Sequence, residues 1–194
     1  MLGWSGSYRV RPGGGSCWGP ALFSLLCVLP CSGRMTGESV EVRPALDGDR
    51  DAVLALAPRL AVGVASWRDS QSAARAAEGW LAGSFDAAAA GRGEVFVAVA
   101  GSVVVGVVCV DEQRHFTGAV DGYVGELAVA PAATRSGVGR RLMAAAEHWA
   151  RARGLRHLTL QTGVANGDAR AFYHALGYLE EEIRLTRVLV DVDG

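Results

Sequence analysis

The alternation of apolar and polar positions divides the chain into short elements with clear punctuation. SVEVRPA (39–45) alternates as a strand does and is closed by Pro44. DGDRDAVLALAPRLA (47–61) carries acidic residues early and apolar residues at helical spacing, which predicts a first helix. Residues 63–69 form a loop containing Trp67, and Ser70 to Ala90 is an alanine-rich second helix with Trp80, Leu81 and Phe85 on one side. VFVAVA (95–100) and VVVGVVCV (103–110), joined by Gly101–Ser102, read as a β-hairpin. DEQRHFTGAVDG (111–122) is a polar connection, and YVGELAVA (123–130) is a strand closed by Pro131. Gly137 to Arg153 is the strongest helix, stopped by Gly154. HLTLQTGV (157–164) alternates as a strand, Asp168 to Leu176 is a short helix ending at Gly177, and Tyr178 onward returns as a final strand. The order β-α-α-β-β-β-α-β-α-β combines antiparallel hairpins with two late β-α-β units. That predicts an α/β domain: a mixed sheet flanked by helices.

The first 34 residues do not share this patterning. They hold no acidic residue, and the apolar run ALFSLLCVL (21–29) is too short to span a bilayer as a helix. The run resembles the core of a secretory signal, but a long polar stretch precedes it and no clean small-x-small cleavage site follows. Well-patterned sequence begins just after Met35. The pattern favours Met35 as the true start over a working signal, with residues 1–34 as a non-domain leader and 35–194 as a single domain.

Composition narrows the class of function. Half the residues are hydrophobic and 20% are charged, which is globular rather than disordered. All 19 basic residues are arginine and the net charge is −1, so no basic field argues for nucleic acid or an anionic membrane. Of the four cysteines, Cys17, Cys27 and Cys31 lie before the patterned region, and Cys109 sits inside an apolar run as a small buried hydrophobe. No Cys/His metal spacing and no disulfide framework is present, which points to a reducing, cytoplasmic compartment.

The chemistry-bearing segment is RSGVGRRLM (135–143), with Gly137 and Gly139 flanked by arginines at the start of a helix. A P-loop needs a lysine, and this chain has none. A dinucleotide-binding turn needs a third glycine, where Leu142 stands, and an acid about 20 residues on, where HLTLQT has none. Two readings remain open from this segment alone. It is either a nest of backbone N–H groups that binds an anion at a helix N-terminus, aided by Arg135 and Arg140, or a tight strand-to-helix turn.

ELAVAPAATRSGVGRRLM followed by NGDARAFYHALGY resembles the GNAT superfamily of N-acetyltransferases over roughly residues 39–187. The shared features are a strand, a proline before the loop, [QR]xxGx[GA] opening a helix, and later Asn166, Ala169, Phe172–Tyr173 and Gly177–Tyr178. One position departs: Thr134 stands where the family has glutamine or arginine, with Arg135 one place later. The resemblance implies acetyl-CoA as cosubstrate, lying where strands 123–130 and 157–164 splay apart. It implies pantetheine contacts from the backbone of Leu127, Ala128 and Val129. It also implies pyrophosphate contacts from the amides of Arg135, Ser136, Gly137, Val138, Gly139 and Arg140, and a cofactor contact from Asn166.

By the same resemblance Tyr173 is the general acid facing the cofactor sulfur, Glu126 a general base, His115 a lesser candidate for that role, and no metal takes part. The acceptor is a small-molecule or peptide amine bound near Trp67–Ser70 and Asp111–Gly122, where Asp111, Glu112, Asp121 and Glu126 would make the side acidic. Relatives commonly form homodimers, for which the last strand VLVDV offers an edge. A non-enzymatic acyl-CoA-binding sensor is the alternative.

Overall fold

A computed structural model describes residues 39–189. The expectations for residues 1–34 and for a start at Met35 lie outside these residues. Five strands form one sheet in the order β1-β2-β3-β4-β5: β1 (Val40–Pro44), β2 (Gly93–Ala100), β3 (Val103–Arg114), β4 (Val120–Val129) and β5 (Leu158–Leu160). The first four pair antiparallel and β4 pairs parallel to β5. Four helices accompany them: α1 (Arg50–Leu54), α2 (Ser70–Ala89), α3 (Val138–Ala152) and α4 (Gly167–His174). This is the mixed sheet flanked by helices that the patterning predicts.

Along β3 the facing alternates, with a change of phase at the β2–β3 bulge that leaves Val105 unpaired, and sorts the core into two layers. Val105, Val108 and Val110 face α3, where Val138, Leu142, Met143, Ala146, Trp149 and Ala150 make its buried stripe. Val107 and Cys109 face the other way, onto Ala77 and Leu81 of α2 and Val53 of α1. Gly106 lets α3 approach closely, since a Cβ there would lie 2.9 Å from Leu142 Cδ1. At the β2–β3 hairpin, Gly101 at φ 60° supplies the left-handed residue that a two-residue loop requires.

Three expectations are corrected. The first helix does not run from 47 to 61. It breaks into a 3-10 turn at Asp47–Asp49, the five-residue α1, and another 3-10 turn at Ala57–Arg59. Pro58 lacks the N–H for a helical bond and its ring crowds the preceding turn, so the helix stops short of it. The polar connection 111–122 is mostly strand. β3 runs to Arg114 and β4 begins at Val120, because a hairpin that extends past the core edge alternates buried and exposed positions without being apolar. The true turn is closed by His115 N–H bonding Ala119 O at 2.9 Å.

The final strand expected after Tyr178 is not formed over residues 179–189, and the end of VLVDV lies outside the described residues. Glu180 pairs with Arg170 and His174 of α4, and Glu181 lies 3.6 Å from His115 Nε2 at the β3–β4 turn, so side-chain ion pairs rather than a ladder hold the start of this segment.

Candidate active site

The site begins where the parallel pair ends. β4 and β5 are paired only at Gly122↔Leu158, Tyr123↔Thr159 and Val124↔Leu160. Beyond Val124, β4 continues to Val129 with no strand beside it on that edge among the described residues. The chain also changes phase here. Cys109 opposes Glu126 and Val110 opposes Val124, which leaves Gly125 as the extra residue of a β-bulge. Val124 packs with the α3 layer, whereas Glu126 reaches α2. Without the bulge the two would share a face, because side chains two apart on a strand point the same way.

Main-chain groups along the unpaired edge follow from strand geometry. Ala130 N–H donates to Val105 O on β3 at 2.9 Å. Alternate residues turn their backbone groups to opposite edges. Ala128 therefore bonds β3, and Leu127 and Val129 present N–H and C=O to the splayed side. Arg59 of the 57–59 turn already uses this edge, donating from Nε to Val129 O at 3.2 Å.

The second component is the start of α3. Gly137 caps it in the left-handed region at φ 85°, and Arg135 is also left-handed at φ 62°. For a residue with a Cβ, that conformation costs about 1 kcal/mol. Ser136 Oγ donates to Ala133 O at 2.6 Å, and Thr134 Oγ1 to Pro131 O at 2.8 Å, so both side chains stabilise the preceding turn. No side chain caps the helix. The first bond to the cap, Arg141 N–H to Gly137 O, leaves the N–H groups of Val138, Gly139 and Arg140 without intrahelical acceptors. Arg135 and Arg140 are exposed beside them, while Arg141 is committed to Val40 O at 2.8 Å. Gly139 has a packing reason as well as a binding one. A Cβ there would lie 3.3 Å from Phe172 Cζ and 3.8 Å from Val129 Cγ2. The free β4 edge, the open helix end and α4 thus meet at this glycine.

Two titratable side chains flank the splay from opposite layers. Glu126 is buried, and its Oε2 accepts from Ser84 Oγ of α2 at 2.9 Å. Burial pushes its carboxyl up, the Asp111 charge adds to the rise, and hydrogen bonds from Ser84 and Cys109 oppose it. Tyr173, on α4, packs edge-on against Phe172 at 5.2 Å and Tyr178 at 5.8 Å. Burial pushes its phenol up to about 12, so it is neutral throughout the ordinary pH range.

Asn166 caps α4, its Oδ1 accepting from Ala169 N–H at 3.2 Å and its Nδ2 donating to Val62 O at 3.3 Å. Its side chain therefore ties the loop after Arg59 to the loop after β5, where Gly63 and Gly163 leave no room for a Cβ. The expected acidic acceptor side is only partly assembled. Glu112 pairs with Arg153 and Asp121 with His157, leaving Asp111 and Glu126 as neighbours. Asp111 Oδ1 is buried and accepts no hydrogen bond. His115 belongs to the hairpin turn, its Nδ1 2.8 Å from Thr117 Oγ1. Trp67 is exposed.

Sequence reasoning missed three contributors. Ser84 is a polar residue on the buried stripe of an alanine-rich helix, three residues after Leu81. Arg59 was hidden inside a presumed regular helix. Gly125, an isolated glycine inside a strand pattern, did carry the signal of a bulge.

Known proteins show the same architecture. A transcriptional regulator from Bacillus halodurans C-125 is 23% identical, with TM-score 0.59, covering 78% of this chain and 100% of that one. An acetyltransferase from Trypanosoma brucei is 21% identical, with TM-score 0.57, covering 78% and 100%. An aminoglycoside N-acetyltransferase solved in complex with CoA is 19% identical, with TM-score 0.59, covering 80% and 99%. At these identities the likeness is one of fold. Among curated protein sequences no match is found. The acetyltransferase (GNAT) family model matches residues 62–178, more than half of the chain, and takes in the bulged strand, the open helix end and the Asn166–Tyr178 segment. The chain belongs to the acetyltransferase (GNAT) family.

Proposed function

We propose that this protein is an N-acetyltransferase that moves the acetyl group of acetyl-CoA directly to a primary amine. The observation that carries the reading is the meeting, at Gly139, of an unpaired strand edge with an uncapped helix N-terminus. A pantetheine arm carries amides and needs a β-like partner, which Leu127 and the Val129 N–H supply. A pyrophosphate needs concentrated N–H donors and positive charge, which the amides of Val138–Arg140 and the side chains of Arg135 and Arg140 supply. Asn166 contributes by fixing the α4 start, since both ends of its side chain are bonded within the protein.

The amine nitrogen attacks the thioester carbonyl, the N–C bond forms, the C–S bond breaks with its electron pair going to sulfur, and the second nitrogen proton passes to the departing thiolate, which leaves as free CoA thiol. An alkyl ammonium with a pKa of about 10 must first lose a proton. Glu126 is the base for it, directly or through one water, and its raised carboxyl makes it a stronger base than a surface carboxylate. The Val129 N–H is the donor for the developing oxyanion. Tyr173 donates a hydrogen bond to the leaving sulfur. With its phenol at about 12, well above a free thiol at about 8.5, donation is favoured over complete proton transfer. Base and donor lie on opposite faces of the sheet and act across the gap beside β4.

The test is release of free CoA thiol from acetyl-CoA with a panel of primary amines, amino acids and peptides. Turnover with at least one amine is expected. Acetyl-CoA binding with no thiol release across the panel would contradict the transferase and leave an acyl-CoA-binding module.

A further inference from the structure

Glu126 is held from outside its own strand. Ser84 lies on the stripe of α2 that carries Ala77 and Leu81, and its hydroxyl donates to Glu126 Oε2 across 2.9 Å. On β3 the cross-strand neighbour is Cys109, enclosed by protein. Burial and the Glu126 charge push the Cys109 thiol well up, so it stays a neutral donor and not a nucleophile. The charged neighbour is Asp111, also on β3. The 57–59 turn sends its cation elsewhere, Arg59 bonding the Val129 carbonyl. β5 is paired with β4 only at residues 122–124, before the bulge. Ser84 is thus the neutral donor that α2 brings to a carboxylate otherwise burdened by burial and a like charge.

We propose that Ser84 is a positioning residue for acetyl transfer: it fixes Oε2 of Glu126 and so orients the carboxylate that takes the proton of the amine. The proposal rests on the reading of Glu126 as the base. A single alanine substitution at position 79 or 80 of this helix would leave the contact in place. At Ser84 the loss is specific, because a hydrogen bond from a hydroxyl favours the ionised carboxylate and its removal favours the protonated one.

The experiment is the pH dependence of kcat/KM for the full chain, with Ser84→Ala, Ser84→Thr and Glu126→Gln. It is paired with NMR titration of the Glu126 carboxyl carbon in labelled protein, which needs no acceptor. Ser84→Ala should move the acid limb and the NMR midpoint to higher pH by about one unit. Its alkaline plateau should fall about tenfold, because the orientation of the carboxylate is lost even where the base is fully ionised. Ser84→Thr, which keeps the hydroxyl, should restore both midpoints. If Glu126→Gln abolishes the acid limb but Ser84→Ala leaves both midpoints unmoved, the positioning role is overturned while the base reading stands. If Glu126→Gln leaves the limb intact, the base reading and this inference fall together.

Discussion

The Tyr173 hydroxyl and the Glu126 carboxyl are both displaced upward by burial, and the consequences have opposite signs for function. A phenol held near 12 remains a donor at every working pH. Tyr173→Phe deletes that donor while keeping the ring between Phe172 and Tyr178. Steady-state kinetics should show kcat lowered about 100-fold, with acetyl-CoA affinity by calorimetry within about twofold. An unaltered kcat would remove Tyr173 from the mechanism.

Glu126 is different, because its raised carboxyl means that the folded chain prefers it protonated. The stability from that preference is fully present below the unfolded carboxylate range and is lost as pH rises through the raised folded value. Glu126→Gln stays neutral and still accepts from Ser84, so its melting temperature relative to wild type should climb as pH rises out of the ordinary carboxylate range and through the raised folded value. A flat difference would mean that the carboxylate is not the buried charge described here. At this scale the sequence was informative about identity and silent about environment. Glu126 and Tyr173 stand at readable motif positions, whereas their supports, Ser84 and Cys109, look like ordinary residues of an alanine helix and a valine strand.

Among the elements, α3 does two jobs that separate along its length. Its body is a packing stripe, and its first turn is an open donor set. The two glycines of RSGVGR divide in the same way. Gly137 is needed for its left-handed backbone and faces open space, whereas Gly139 is needed because Phe172 lies against it. A bulky residue at Gly139 would displace α4 and Tyr173 with it, so it cannot separate binding from folding. Arg140 gives the cleaner probe, being exposed on the open turn. Arg140→Glu should raise the acetyl-CoA dissociation constant about tenfold at low salt, less at high salt, with the melting temperature unchanged. Equal affinity would show that the first turn of α3 does not face the phosphates.

The strong periods of α2, α3 and the β2–β3 hairpin were legible because packing reinforces local preference there. The break at Pro58 was legible too, had the proline been weighed above the apolar spacing. The β3–β4 extension and the missing last strand were not, since both depend on partners: one polar hairpin keeps its ladder beyond the core, and the segment after Tyr178 makes side-chain ion pairs from Glu180 and Glu181 instead of a ladder on β5.

Over residues 39–189 the chain forms a sheet that separates two helix layers and then opens. The α1–α2 layer brings Ser84 to Glu126, and the α3–α4 layer brings the open helix turn and Tyr173. The layers can act on one substrate only where β4 has lost its neighbour, and the Gly125 bulge aims Glu126 toward the first layer at that point. The chain's total charge of −1 offers no long-range attraction for a polyanion, so the proposed function requires recognition of CoA to be local. Local recognition by main-chain edge and helix end is the central claim. Calorimetric titration of the full chain with acetyl-CoA, alongside NAD, tests it most directly. Saturable one-to-one binding of acetyl-CoA in the micromolar range, with no binding of NAD, is the predicted result. No heat with acetyl-CoA from a well-folded sample would contradict the account, and the turn at Gly137 would then be structural.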